Sequence, residues 1–171
     1  MCGIVGIVDL RERRLPDRAL LQAMNDLQQH RGPDGEGFHV APGVGFGHRR
    51  LSIIDLEGGR QPIYNEDRSV VLTFNGEIFN FQPLRAELAA AGHRFLTQTD
   101  AEVIVHAWEQ WGPDCLQRFN GMFAFALWDE RSATLFLARD RLGLKPLFHA
   151  EVDGQLLFAS ELKALLLHPG V

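Results

Sequence analysis

The sequence predicts an α+β fold in which antiparallel sheets are sandwiched by helices. Two observations predict it. The elements run as strands, then two central helices, then strands again, and the later strands are separated by spacings that suit hairpins. A doubly wound parallel sheet would instead alternate strand and helix throughout.

Each element has its own signal. Gly3–Val8 is nearly all apolar or glycine and is bounded by Asp9, the pattern of a buried strand with Cys2 at its leading edge. Leu20, Leu21, Met24 and Leu27 share one helical face after the start signal Pro16-Asp17. His30–Gly35 reads as a loop, followed by short strands around Gly37–Val40, Val44–Gly47 and Leu51–Ile54 and a stronger one at Ser69–Phe74. Asn75-Gly76 then reads as a turn pair. Phe81, Leu84 and Leu88 mark a helix that Gly92 ends. Thr99 or Asp100 is the expected cap of the next helix, whose apolar face is Val103, Ile104, Ala107, Trp108 and Trp111. Gly112-Pro113 punctuates it before a turn carrying Cys115, Leu116 and Phe119. Met122–Trp128, Leu135–Ala138, Pro146–Ala150 and Leu156–Ala159 are strand-like, with turns at Glu130–Ala133 and Asp153-Gly154, and Glu161–Leu167 is a short closing helix.

Composition narrows the function classes. The 171 residues, 46% hydrophobic and 23% charged, suit one globular domain with a real core. A net charge of −5 without a Lys/Arg run argues against nucleic acid, and no apolar stretch approaches a membrane span or a signal peptide. Two cysteines, Cys2 and Cys115, are too few for a disulfide framework, so a cytoplasmic location is expected. The chain lacks Cys-x-x-Cys, His-Glu-x-x-His, a Walker lysine motif and a Gly-x-Ser-x-Gly elbow, so no metal site is expected and Ser-His or metal hydrolase machinery is disfavoured.

Cys2 is the most informative residue. Removal of Met1, usual before a small second residue, would leave a thiol nucleophile and an α-amine on one residue. Such an amine ordinarily titrates at about 7.7–8.0, close enough to neutrality to act as a base. The alternative reading of Cys2 is a small buried apolar side chain. Cys115 reads as a packed helix residue, and Asn75-Gly76 alone reads more readily as a plain hairpin turn than as a site.

Six segments occur in a fixed order: Met1–Gly6, His30–Asp34, His48–Asp55, Asn75–Asn80, Thr99–Glu102 and Arg139–Leu147. With them the chain resembles the glutaminase domain of class II glutamine amidotransferases, closest to glutamine-hydrolysing asparagine synthases, including relatives associated with exopolysaccharide and protein sorting. The resemblance covers essentially all 171 residues. It implies a four-layer αββα sandwich of the N-terminal-nucleophile hydrolase type and hydrolysis of the L-glutamine side-chain amide through a Cys2 γ-glutamyl thioester.

The roles it implies are chemically coherent. Cys2 matches the nucleophile, with its α-amine as base and then acid. Asn75 and Gly76 match the oxyanion hole, and the missing Cβ of Gly76 would let the backbone approach substrate. Arg50 matches the grip on the substrate α-carboxylate, with Arg49 a solvated neighbour. Asp100 matches the partner of the α-ammonium, and Leu51, Ile53 and Glu77 line the same pocket. His30 and Asp34 are expected to brace a loop, and Arg139, Asp140 and Lys145 to form a structural or interdomain network.

Departures from the family pattern are mild at the site: Phe79 stands where Tyr is common, and Gln98-Thr99 precede Asp100. The larger departure is length. Residues 1–171 form the glutaminase domain alone, without the Ser-Gly-Gly-x-Asp-Ser loop of a synthetase domain, so the chain reads as a fragment of a longer protein. No cofactor is expected in this domain, ATP and Mg²⁺ belonging to the synthetase domain, which would be its C-terminal partner. A homodimer stays open. The readings that compete are amidation of a carboxylate other than aspartate and a catalytically silent regulatory domain.

Overall fold

The computed structural model describes residues 1–9, 11–52 and 59–171. Among the described residues, nine strands form two antiparallel sheets. The first has five strands in the order β2-β3-β1-β9-β8, where β1 is Gly3–Asp9, β2 Gly35–Ala41, β3 Val44–Arg50, β8 Phe148–Val152 and β9 Gln155–Ala159. The second has the order β4-β5-β6-β7, where β4 is Ile63–Tyr64, β5 Val70–Ile78, β6 Gly121–Asp129 and β7 Thr134–Arg139. Four α-helices complete it: α1 (Arg18–Asp26), α2 (Phe81–Ala90), α3 (Glu102–Trp111) and α4 (Leu162–Leu165), with a 3-10 helix at Gly112–Gln117.

The period-2 alternation of side chains sorts each strand onto two buried faces. Ile4, Val8, Val44, Phe46 and Phe158 of the first sheet meet Val71, Ala124, Ala126 and Trp128 of the second in an inter-sheet core. On the far side of the first sheet, Val5, Ile7, Leu157 and Ala159 pack on Leu21 and Met24 of α1 and on Ala164 and Leu165 of α4. On the far side of the second, Leu72, Phe74, Phe125 and Leu127 pack on Leu84 and Leu88 of α2 and on Val103, Ile104 and Ala107 of α3. The result is the αββα layering, and it explains why β1 reads as a continuous apolar run: both its faces are covered.

The structure corrects four local expectations. Asn75-Gly76 is not a turn; β5 runs through it to Ile78, with Asn75 opposite Ala124 and Gly76 opposite Phe123, because the nine-residue β6 offers a partner along the whole length. Neither Thr99 nor Asp100 caps α3. Its N-cap position is Ala101, and Glu102 in the first turn accepts the Leu96 and Thr97 N–H groups instead, both at 2.7 Å. Leu51 and Ser52 are not strand, while Ile53 and Ile54 lie outside the described residues. Strand β8 starts at Phe148 rather than Pro146, whose ring removes a ladder donor. The two-residue β4, opposite Leu72 and Val71, is too short to carry a periodic signal. By contrast, α1 begins as its start signal indicates: the Asp17 carboxylate accepts the Ala19 and Leu20 N–H groups at 2.8 and 3.1 Å.

The buried face of α3 carries a fully buried histidine. Burial alone would lower the pKa of His106, but Glu109 at 3.1 Å, Glu102 at 3.6 Å and Glu66 at 3.9 Å outweigh it and push the imidazole up to about 9. A pKa raised on folding gives stability that is present below the ordinary value of 6.5 and is lost as pH rises through about 9. The unfolding free energy should therefore fall across that window, and His106→Gln should flatten the fall. Denaturant titrations of both proteins at pH 6.5, 8 and 9.5 check this; parallel pH curves would contradict it.

Candidate active site

A cavity of about 360 Å³ opens where the leading edge of β1 meets the middle of β5. Its wall takes Met1 and Cys2 from the start of β1, Arg50 and Leu51 from the end of β3, Asn75 to Glu77 from β5, Thr99 to Ala101 ahead of α3, and Lys145 ahead of β8. Sequence-distant segments converge here because the inter-sheet packing brings the ends of β1, β3 and β5 together.

The Cys2 thiol is held by Leu51, whose N–H donates to Sγ at 3.4 Å and whose carbonyl oxygen lies 3.7 Å from Sγ. Its main chain is fixed as well. Arg31 Nε donates to the Cys2 carbonyl at 3.0 Å, and Arg31 is braced by Glu161, which also takes His30 at 2.8 Å and Lys163 at 3.1 Å. Burial raises the thiol pKa; the Leu51 N–H, the chain's N-terminal charge, Arg50 and Lys145 pull the other way.

The edge of β5 supplies donors. Phe74 gives its N–H to Gln61 Oε1 at 2.7 Å and accepts Gln61 Nε2 at 3.0 Å, so the Gln61 amide takes the place of a paired strand. Four residues on, the Ile78 N–H donates to Asp100 Oδ2 at 2.8 Å. Hydrogen-bonding direction alternates along a strand, which puts the Gly76 N–H on the same edge between those two caps, on the cavity wall. Next to it, Asn75 is 1% exposed and its Nδ2 has no hydrogen-bond partner among the described residues. A buried unpartnered amide costs about 1–3 kcal/mol, so two adjacent donors here are poised for an acceptor that enters the cavity.

Charge divides the cavity. Arg50 is tied into the sheet through its carbonyl, which accepts the Asp34 N–H at 3.0 Å, and its side chain reaches the cavity. Arg49 faces the other way and is not solvated: it pairs with Asp26 and with Glu36 at 3.1 Å and donates to the Asn25 carbonyl at 3.2 Å. Glu77 and the buried Asp100 line the cavity too, from β5 and from the segment ahead of α3. Burial raises the Asp100 pKa and Glu77 adds to the rise, against the N–H groups of Ile78, Asp100 and Ala101. A cation bound between these carboxylates would reverse that penalty.

Of the residues singled out from sequence, Cys2, Arg50, Leu51, Asn75, Gly76, Glu77 and Asp100 therefore share one cavity, and Ile53 lies outside the described residues. Asp34 braces the adjoining loop by accepting the Ser52 N–H at 2.8 Å. Cys115 is buried away from the cavity with its thiol pushed up to about 12 by burial. Two cavity residues escape sequence reasoning. Gln61 has no motif around it. Lys145, assigned to a structural network, lines the cavity although its neighbours Arg139 and Asp140 hold main-chain groups. Glu66, His93 and His106 bring possible metal-ligand atoms within 4.8 Å, but none lines the cavity, and the carboxylates around His106 make this an ion-pair network.

With this geometry, the comparisons with known proteins are unambiguous about family. The profile described as "Glutamine amidotransferase domain" matches residues 1–171, and the chain belongs to that family. It is 44% identical over 174 residues to glutamine-hydrolyzing asparagine synthetase 3 of Bacillus subtilis (strain 168), covering 100% of this chain and 28% of that protein. Against glutamine-hydrolyzing asparagine synthetase B of Escherichia coli (strain K12) identity is 41% over 167 residues, covering 97% and 30%. The chain thus spans under a third of the length of these relatives. Among solved structures, the B. subtilis glutamine phosphoribosylpyrophosphate amidotransferase complexed with ADP and GMP superposes with a TM-score of 0.77 at 22% identity, over 96% of this chain and 43% of that one. A structure described as the allosteric regulatory enzyme of purine biosynthesis gives 0.78 at 23%, with the same coverage. Both share the αββα sandwich fold.

Gly76 is needed for a reason other than substrate approach. A Cβ there would lie 2.3 Å from the Met122 carbonyl and 2.7 Å from Phe123 Cα, so the glycine lets β6 close on β5. Gly76→Ala should destabilise the fold by about 1–3 kcal/mol through overpacking. Urea denaturation reads this, and an unchanged midpoint would contradict it.

Proposed function

We propose that this chain is a glutaminase domain that hydrolyses the side-chain amide of L-glutamine to glutamate and ammonia. The single observation that carries the reading is the unpartnered Asn75 Nδ2, adjacent in sequence to the Gly76 N–H, in the same cavity as the Cys2 thiol. Removal of Met1 frees the Cys2 α-amine, which takes the thiol proton. The sulfur adds to the amide carbon, and the oxyanion that forms is received by Asn75 Nδ2 and the Gly76 N–H. Donors waiting for developing charge need no reorganisation, which is why one such donor is worth about 10²–10³ in kcat. The C–N bond then breaks, the ammonium form of the amine returns its proton to the leaving nitrogen, and ammonia departs from a γ-glutamyl thioester. Water, deprotonated by the same amine, adds to the thioester, and the thiol leaves with that proton.

Recognition of the amino-acid end follows from the charge division. Arg50 pairs with the α-carboxylate, Asp100 and Glu77 with the α-ammonium, and Leu51 seats the thiol. We further propose that the ammonia is delivered to a C-terminal synthetase domain of asparagine synthase type, where ATP and Mg²⁺ would act, with no cofactor in the glutaminase domain. The relatives' names and the fraction of their length that this chain spans support that arrangement.

The test pairs intact-mass analysis with ammonia release from glutamine. Chains beginning at Cys2 should be active and chains retaining Met1 inactive. Cys2→Ala should abolish turnover, Asn75→Ala should lower kcat about 10²–10³-fold, and Cys115→Ala should leave it unchanged. Full turnover with Met1 retained would overturn the amine-base mechanism.

Arg50→Ala should raise the glutamine KM strongly, since truncating one partner of a buried charge pair costs about 2–5 kcal/mol. Arg49→Ala should instead lower the melting temperature, because it unties α1 from β2 and β3, and leave KM near the parent value. The opposite pattern would show that the wrong arginine has been assigned.

A further inference from the structure

Lys145 is the cavity residue for which the mechanism above has no use. It is 8% exposed and lines the same cavity as Cys2. Its position is imposed by the loop between β7 and β8. Asp140 accepts the N–H groups of Lys145 at 3.0 Å, Leu144 at 2.9 Å and Phe123 at 3.2 Å, which ties the loop to β6. Arg139 donates to the carbonyls of Lys145 and Gly143, both at 2.7 Å. Leu142 and Leu144 are left facing solvent while the lysine is turned inward. Among the described residues, no carboxylate lies within 4.0 Å of its ammonium, and Nζ has no hydrogen-bond partner there. Nζ is not among the buried unpartnered side-chain atoms, so the ammonium is open to the cavity rather than sealed in the core. A cation held on a cavity wall with no carboxylate partner among the described residues is a sign of a functional site.

We propose that Lys145 is an electrostatic positioning residue whose positive charge in the cavity lowers the proton affinity of Cys2, keeping its α-amine neutral until that amine takes the thiol proton and favouring the thiolate that results. The inference rests on the glutaminase reading and deepens it. An amine that is to act as base must be neutral, and a nearby cation disfavours its ammonium form; the same cation favours the thiolate. Lys145 is among the groups that oppose the effect of burial on the Cys2 thiol. Among the described residues, the other charges around Cys2 are Arg50, the chain's N-terminus, and Arg31, which holds the Cys2 carbonyl; Glu77 and Asp100 line the same cavity. When glutamine is bound, its carboxylate neutralises Arg50 and its ammonium offsets Asp100 and Glu77. Among the described residues, Lys145 then remains as a cation on the cavity wall beside the reacting sulfur and amine, while Arg31 is paired with Glu161.

The test compares the parent with Lys145→Met, Lys145→Gln and Lys145→Arg, each beginning at Cys2. The first readout is the pH profile of kcat/KM for ammonia release. The second is the pH dependence of Cys2 alkylation by iodoacetamide without glutamine. The two neutral variants should move the acidic limb of kcat/KM and the alkylation midpoint up by about one pH unit, as expected for removal of a unit charge from a shared, partly screened cavity. Activity near pH 6.5 should fall about tenfold and KM should change little, and the arginine variant should restore both curves. Unshifted curves in both neutral variants overturn the proposal, as does a loss of rate that is equal at every pH or that arginine fails to reverse. If the parent releases no ammonia, the glutaminase reading fails instead, and the alkylation curves still decide whether Lys145 acts on the thiol.

Discussion

The burial of β1 on both faces is the constraint from which the rest of the site follows. Ile4 and Val8 pack into the inter-sheet core and Val5 and Ile7 against α1 and α4, while β3 and β9 pair with its two edges. At its start, the Ile4 N–H donates to Ser160 Oγ at 3.0 Å and the Ser160 N–H donates to the Ile4 carbonyl at 2.9 Å. A strand clamped in this way leaves its first residue little freedom, and Arg31 removes more by holding the Cys2 carbonyl. The thiol is placed by the fold before any substrate arrives, so the entropy of positioning it is met at folding rather than in the reaction.

The second sheet is built to complement that point. β5 directs Val71, Thr73 and Asn75 toward the first sheet and leaves one backbone edge uncovered beyond the short β4. Two side chains from elsewhere, Gln61 and Asp100, take the N–H groups of Phe74 and Ile78 on that edge. Such capping is what a protein needs when a sheet edge must stop beside a cavity without leaving backbone donors stranded. Asn75 Nδ2 is one of several buried side-chain atoms without a partner among the described residues, and it lies on the cavity wall beside Gly76, where an acceptor would enter.

The arginine pair shows how much depends on strand parity. Arg49 and Arg50 are adjacent, so they leave β3 on opposite faces. One joins Asp26 and Glu36 in a structural ion-pair network over α1, and the other reaches the cavity. The carboxylates divide in the same way. Glu102 is spent on the Leu96 and Thr97 backbone and on His106, whereas Asp100, two residues earlier, faces the cavity.

By itself, the sequence determined the α+β class, the buried first strand, the helix faces and, through its family resemblance, the αββα layering and a set of residues that the structure gathers around one cavity, because apolar periodicity and ordered motifs are local properties of the chain. Cys2 was legible from its position next to Met1, and Asn75, Gly76, Arg50 and Asp100 from their motifs. Tertiary structure decided what those residues do with their neighbours. Asn75-Gly76 has the local chemistry of a turn, yet β6 pairs straight across it, and Gly76 is required by the close approach of that strand. Asp100 has the chemistry of a helix cap, yet its carboxylate is drawn to the open edge of β5. Gln61 and Lys145 could not be found from sequence, since one caps a strand thirteen residues away and the other is turned inward only because Asp140 and Arg139 fix its loop. Local pattern records what a segment prefers; which backbone donor or cavity it meets is set by long-range packing, which no single segment encodes.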